Sequence, residues 1–240
     1  MMTLTFLGTR GEIDARTRKH RMHTSLLVRH RRTRIMIDCG KDWSGRLGTV
    51  KPNVILITHA HPDHAGGLKH GASCPVFATA ESWQNIRTCA DRVVIDVRRP
   101  FYVGGVQFEA FRLEHSIRAP AVGYRLNAGG ASVFYSPDVA SIHEAHEALA
   151  GIQFYIGDGA AITRPTLRKR DHALIGHASI RMQLEWCRTE RVPAAIFTHC
   201  GSEIVKGDQR RVEEKIAALG EAAGVDTSLS FDGFEIRIGD

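Results

Sequence analysis

Residues 58–67 read THAHPDHAGG and follow directly on the apolar run VILI at 54–57. The run is short and rich in β-branched residues, so it reads as a buried strand, and the decapeptide as the loop at its carboxyl end. Side chains alternate faces along an extended segment, so His59 and His61 project to one side. Asp63 and His64 follow in the turn beyond. Two imidazoles on one side, with a carboxylate and a further imidazole just past them, suit two adjacent metal ions. Gly66 and Gly67 let the backbone pass close to a ligand. A lone histidine there would read as a solvated loop residue, but four ligand side chains at HxHxDH spacing behind a strand outweigh that reading.

Working outward, three more candidates share the same context. His115 in RLEHS, Asp138 in FYSPD and His199 in IFTHC each stand immediately after an apolar strand run. With His59, His61, Asp63 and His64 they make seven ligands, enough for two divalent ions bridged by one carboxylate. Nitrogen and oxygen ligands of this kind point to zinc, with manganese as the alternative.

The remaining runs organise the chain. Short apolar stretches such as LTFLG (4–8), RIMID (34–38), VQFEAF (106–111), SVFYS (132–136), IQFYI (152–156) and AAIF (194–197) read as strands. Helical patterns cover 140–151, 179–190 and 207–224; in the last, Val212, Ile216, Leu219 and Ala223 share one face. Strands dominate first and strand–helix alternation follows. The expectation is an α/β fold, a four-layer αββα sandwich of two mixed sheets flanked by helices, forming one domain over 1–240.

Composition narrows the class. The 240 residues are 43% hydrophobic and 24% charged, as in ordinary globular proteins. No apolar run approaches the roughly 20 residues of a membrane span, and the strand-like start MMTLTFLG lacks the pattern of a secretory signal. Five scattered cysteines (39, 74, 89, 187 and 200) without a CxxC pair argue against a disulfide framework or zinc knuckle, and for the cytoplasm. The net charge is +6, with arginine-rich clusters at 16–21, 29–34 and 167–170. Such a surface favours an anionic partner.

In these residues the chain resembles the metallo-β-lactamase superfamily of hydrolases: THAHPDH (58–64), His115, Asp138 and His199 stand in the family's order and rough spacing. DCG (38–40) is similar to the family's early Asp–Gly motif. GHAS (176–179), lying ahead of a helix, and the ending SFDGFEIRI resemble the phosphodiesterase branch, of ribonuclease Z-like and cyclic-phosphate phosphodiesterase-like enzymes. No long Gly/Pro-rich tRNA-gripping arm is present, and 8–26 has no cysteine cluster.

The resemblance implies a site. His59, His61 and His115 would hold one metal, and Asp63, His64 and His199 the other, with Asp138 between them. Asp38 would orient a ligand histidine. His177 would protonate the leaving oxygen, with Asp63 and Asp138 also in the catalytic set, and Arg168, Lys169 and Arg170 would engage the substrate. The implied reaction is hydrolysis of a phosphodiester, in RNA or a nucleotide-like or cyclic phosphate, by a hydroxide between the metals. Related enzymes are often homodimers, and no membrane partner is implied. A thioester or lactone hydrolase on the same fold is the alternative. A non-catalytic nucleic-acid binder suits the arginines, but aromatic residues are only 7% and no stacking motif is evident.

Overall fold

The computed structural model describes residues 1–239. Six strands come first: β1 (Met2–Gly8), β2 (Ser25–His30), β3 (Thr33–Ile37), β4 (Val54–Leu56), β5 (Val76–Thr79) and β6 (Arg92–Ile95). Ten follow: β7 (Phe101–Val103), β8 (Val106–Glu114), β9 (Ala121–Ala128), β10 (Ala131–Tyr135), β11 (Ser141–Ile142), β12 (Phe154–Asp158), β13 (Arg168–Arg170), β14 (Ala173–Ile175), β15 (Ala194–Thr198) and β16 (Asp226–Leu229). The last, β17 (Glu235–Ile238), returns to pair with β1. Two mixed sheets result. One runs β17-β1-β2-β3-β4-β5-β6, and the other β11-β8-β9-β10-β12-β15-β16 with β7 on β8. β13 and β14 form a separate hairpin.

The period of two along each strand decides the layering. Leu26 and Val28 of β2 face the space between the sheets while Leu27 faces outward, and Ile35 and Ile37 of β3 do the same around Met36. In the second sheet Val133 and Tyr135 point inward and Phe134 outward. A strand apolar on both faces is buried on both. The outer face of the first sheet is covered by the segments around α1 (Leu47–Val50) and α3 (Ala80–Asn85), through Val50, Trp83 and Ile86. The outer face of the second is covered by α4 (Ala145–Leu149), α5 (Ile180–Thr189) and α7 (Gln209–Ala223), through Leu149, Leu184, Val212 and Ile216. Two one-turn helices, α2 (Pro62–Ala65) and α6 (Ser202–Val205), sit at strand ends instead. The layers are therefore helix, sheet, sheet, helix, the four-layer α/β sandwich expected.

Local signals explain the helix ends. Ser179 caps α5 by accepting from the Met182 amide, and Asp208 caps α7 by accepting from the Arg211 amide. Gly224, at φ 69°, closes α7 in the left-handed conformation. The helix expected over 140–151 is shorter, because Ser141 and Ile142 are drawn into a bridge with β8 and Glu144 is left-handed at φ 53°. The β13–β14 hairpin has no apolar alternation to announce it. No described helix is long and apolar enough to cross a membrane.

Candidate metal centre

Strand direction gathers the site. β10, β12 and β15 are parallel neighbours, and β8 runs in the same direction with β9 between. Their carboxyl ends therefore open on one edge, delivering His115 after β8, Asp138 after β10, Asp158 as the last residue of β12, and His199 after β15. The facing edge of the first sheet delivers 59–64 after β4. Crevices at the carboxyl ends of parallel strands are where such folds bind ligands.

Three imidazoles form one group. His59 Nε2 lies 3.0 Å from His61 Nδ1, and His115 Nε2 lies 3.3 Å from the same atom. Their outer nitrogens are tied down. His115 Nδ1 donates to the Gly176 carbonyl at 3.2 Å, and His59 Nδ1 meets the Thr58 hydroxyl at 3.0 Å. Such tethers fix ring orientation and direct the other nitrogen inward. Burial pushes His59, His61 and His115 below the ordinary imidazole range. They present lone pairs, the state a cation requires.

Asp63, His64 and His199 form the second group. His199 Nε2 is 3.2 Å and His64 Nε2 3.4 Å from Asp63 Oδ2. Asp38 takes His64 Nδ1 at 2.8 Å and accepts from the Thr58 amide at 2.8 Å, so one buried carboxylate braces both ends of the ligand loop. Gly40 permits the fit: a Cβ there would stand 2.0 Å from the Asp63 carbonyl oxygen.

Asp138 joins the two groups. Its Oδ2 is 3.3 Å from His59 Nε2, 3.2 Å from His115 Nε2 and 3.2 Å from His64 Nε2, and its Oδ1 is 2.8 Å from His199 Nδ1. Ligand atoms of His59, His61, His115 and Asp138, and those of Asp63, His64, Asp138 and His199, each lie within 4.8 Å of one another. His64 Nε2 is buried without a hydrogen bond, and Asp138 Oδ1 and His199 Nδ1, though 2.8 Å apart, are buried without hydrogen-bond geometry to any partner among the described residues. Buried polar atoms left so are costly unless something satisfies them, and a divalent cation at each group would do so. The electrostatics agree. Burial would lower His64 and His199, yet the carboxylates around them raise both well above the usual range. Burial would raise Asp63 and Asp138, yet the surrounding histidines hold both well below theirs. The carboxylates thus stay ionised and demand positive charge.

His177 stands beside this cluster, its Nδ1 2.8 Å from Asp158 Oδ2. The GHAS segment is held by backbone: Gly176 N donates to His115 O, and Ala178 N to Val139 O. Asp158 is fully buried and accepts from the amides of Val139 at 3.1 Å and Ala160 at 2.8 Å. Asp158 lies outside the ligand set that the sequence suggests. Its signal was the context IGDG at the end of an apolar run, the same strand-end placement that marked Asp138.

Two cavities open beside the centre. One of about 860 Å³ is lined by His61, His115 and His177 and by Arg118, Arg168 and Arg170. Lys169, between the last two on an extended strand, is exposed and does not line it. The other, of about 540 Å³, reaches Glu12, Ile13 and Glu203. The arginine clusters at 16–21 and 29–34 line neither: Arg16 pairs with Asp42 at 3.2 Å, and 29–34 forms the β2–β3 hairpin.

Comparison with known proteins bears on this geometry. Residues 33–200 match the beta-lactamase superfamily domain. A ribonuclease Z of Methanopyrus kandleri is 28% identical over 144 residues, 52% of this chain and 50% of that protein. A ribonuclease Z of Bradyrhizobium diazoefficiens is 40% identical over 73 residues, 28% of this chain and 23% of that protein. The match thus spans half or less of these relatives' lengths. Among solved structures, a diphosphatase of the PhnP family superposes with a TM-score of 0.76 at 18% identity, covering 99% of this chain and 98% of that one. The metallo-beta-lactamase fold protein YhfI of Bacillus subtilis superposes with a TM-score of 0.75 at 15% identity, over 98% of each chain. At such identities the likeness is one of fold.

Proposed function

We infer the function from one premise: the chain belongs to the beta-lactamase superfamily. Within it we propose a dinuclear metal-dependent phosphodiesterase that hydrolyses a phosphodiester in RNA or in a nucleotide-like molecule, acting in the cytoplasm. The observation that carries this is Asp138, one buried carboxylate shared by both donor groups within 3.3 Å. His59, His61 and His115 are assigned to one cation, Asp63, His64 and His199 to the other, and Asp138 to both. Sulfur-free donors suit zinc and accept manganese.

When bound, two divalent cations supply an activated water and neutralise charge on the phosphoryl oxygens. The chain's own groups do the rest. Asp63 and Asp138, held ionised, would hold the cations and orient the attacking water. Burial would lower the His177 pKa, but the Asp158 and Asp138 carboxylates outweigh it and raise it, which favours the protonated ring. Nδ1 is committed to Asp158, which leaves Nε2 to donate to the departing oxygen. Asp38 fixes the His64 ring, and Arg168 and Arg170 face the cavity where an anionic substrate would lie.

The test is hydrolysis of bis(p-nitrophenyl) phosphate by the zinc- or manganese-loaded chain beside Asp138→Ala. Turnover that disappears in the variant supports the assignment. Intact diester beside cleaved thioester would replace it with a carbonyl hydrolase.

A further inference from the structure

The two cavities at the centre have opposite character. They share His61, His115, Thr166 and His177 and diverge from there. The larger carries three cations, Arg118, Arg168 and Arg170, against one carboxylate, Asp171. Asp171 lies 3.7 Å from Arg170, while Arg118 and Arg168 form no ion pair among the described residues. The smaller has no lysine or arginine in its lining and carries Glu12 and Glu203 beside Ile13.

We propose that the larger cavity is a subsite for a second phosphate group of the substrate, bound by Arg118, Arg168 and Arg170 while the scissile phosphate lies at the donor groups. The proposal rests on the phosphodiesterase reading and adds to it a substrate class and an orientation. Arg168 and Arg170 are two apart on an extended strand and so share a face. Their backbone is registered on Ile175 and Ala173 of β14. The next residue, Gly176, bonds to His115 through both its amide and its carbonyl. The arginines are thereby tied at short range to a ligand histidine. Guanidinium groups take phosphate oxygens in bidentate fashion, and 860 Å³ of cavity accommodates a ribose-sized spacer and a phosphate. The other side offers a phosphate no lysine or arginine in its lining, and its Glu12 and Glu203 carboxylates are already paired, with Lys41 and with Lys215 at 2.7 Å. The substrate therefore enters with its phosphorylated end towards the hairpin and an uncharged group towards Gly11–Ile13. That second phosphate belongs either to a small nucleotide or to the next residue of an RNA strand; the chemistry is the same.

The experiment compares two chromogenic diesters on the metal-loaded full chain: thymidine 5′-(p-nitrophenyl phosphate), with and without a 3′-phosphate. The ratio of their kcat/KM values is expected to favour the phosphorylated probe by about tenfold or more. Arg118→Ala and Arg168→Ala should each carry that ratio most of the way to one, and Lys169→Ala should leave it in place. No preference in the unaltered chain, or a ratio that survives both arginine substitutions, overturns the subsite while leaving the phosphodiesterase reading intact. Failure to cleave either probe overturns that reading instead. Calorimetric binding of adenosine 3′,5′-bisphosphate then decides the subsite separately: binding weakened by Arg168→Ala supports it, and unchanged or absent binding overturns it. Inhibition by the bisphosphate below the concentration needed of hexaadenylate assigns the phosphate to a small molecule, and the reverse order to an RNA strand.

Discussion

His177 Nδ1 donates to Asp158 across 2.8 Å, and Asp158 is itself held by the Val139 and Ala160 amides. The carboxylate has no freedom to follow the ring, so the ring follows the carboxylate. Asp158→Asn keeps the shape and presents either a weaker acceptor or an amide N–H to His177. Turnover of a diester with an unactivated alkoxide leaving group, such as a dinucleoside monophosphate, should fall about 10–100-fold, as for other residues that orient a working group. Metal content by plasma spectrometry should stay at two per chain. Loss of metal in parallel with activity would show that Asp158 serves the donor groups and not His177.

Asp38 acts on metal affinity instead. It lies at φ 62° and braces both Thr58 and His64. Asparagine tolerates that backbone conformation, so Asp38→Asn removes charge without backbone strain. Affinity for the cation at His64 is expected to fall about 10–100-fold, and excess zinc should restore most of the activity. An Asp38→Asn protein with wild-type affinity in a chelator competition would remove Asp38 from this role.

Gly40 tests packing alone. Its φ of −61° suits any residue, and a side chain is forbidden by the Asp63 carbonyl and by the His23 Cβ, 2.6 Å from where its Cβ would stand. Gly40→Ala should cost about 1–3 kcal/mol, lowering Tm by roughly 3–10 °C for a chain of this size, with metal binding weakened because Asp63 must move. A thermal melt superimposable on the wild type would mean that the loop yields freely.

Stability should also depend on pH through His20, which lies away from the centre. Burial, then Lys19, lowers its pKa to about 4, and Thr9 bonds its Nδ1 at 2.8 Å. The unfolded chain, with an ordinary imidazole near 6.5, binds the extra proton first as pH falls. The stability held above pH 6.5 is therefore lost progressively down to about 4. Depressed carboxylates act lower, below about pH 4. Urea midpoints at pH 7 and pH 4.5 should differ less in His20→Gln than in the wild type; an equal drop in both would exclude His20 as a source.

Much of the centre was legible because its ligands sit in short local contexts. HxHxDH needs only a strand and a turn to converge, and His115, Asp138 and His199 each follow an apolar run. The helical ranges 179–190 and 207–224 likewise meet the Ser179 cap that opens α5 and the Gly224 that closes α7. What stayed hidden depends on partners remote in the chain. Asp158 matters because β12 lies between β10 and β15, and its partner His177 is 19 residues away. His20 and His23 lie in a basic segment with no local signal of burial, yet both are buried, His20 bonded to Thr9 and His23 held against Arg10 and Asp42. The arginines of 167–170 were visible as charge, yet only the pairing of β13 with β14 separates Arg168 and Arg170 from Lys169.

The donor groups are divided between the two sheets: four ligands follow β4 of the first, and His115, Asp138 and His199 leave the second. Neither sheet alone carries a complete set for two cations. Occupancy is therefore a readout of docking, and by linkage the cations stabilise the docked state in proportion to how tightly they bind it. A nascent chain that has emerged only as far as Ala110 holds His59, His61, Asp63 and His64 with nothing opposite them. On the function proposed here, synthesis thus proceeds without a working hydrolase, and activity begins only when the last sheet strands close over the first.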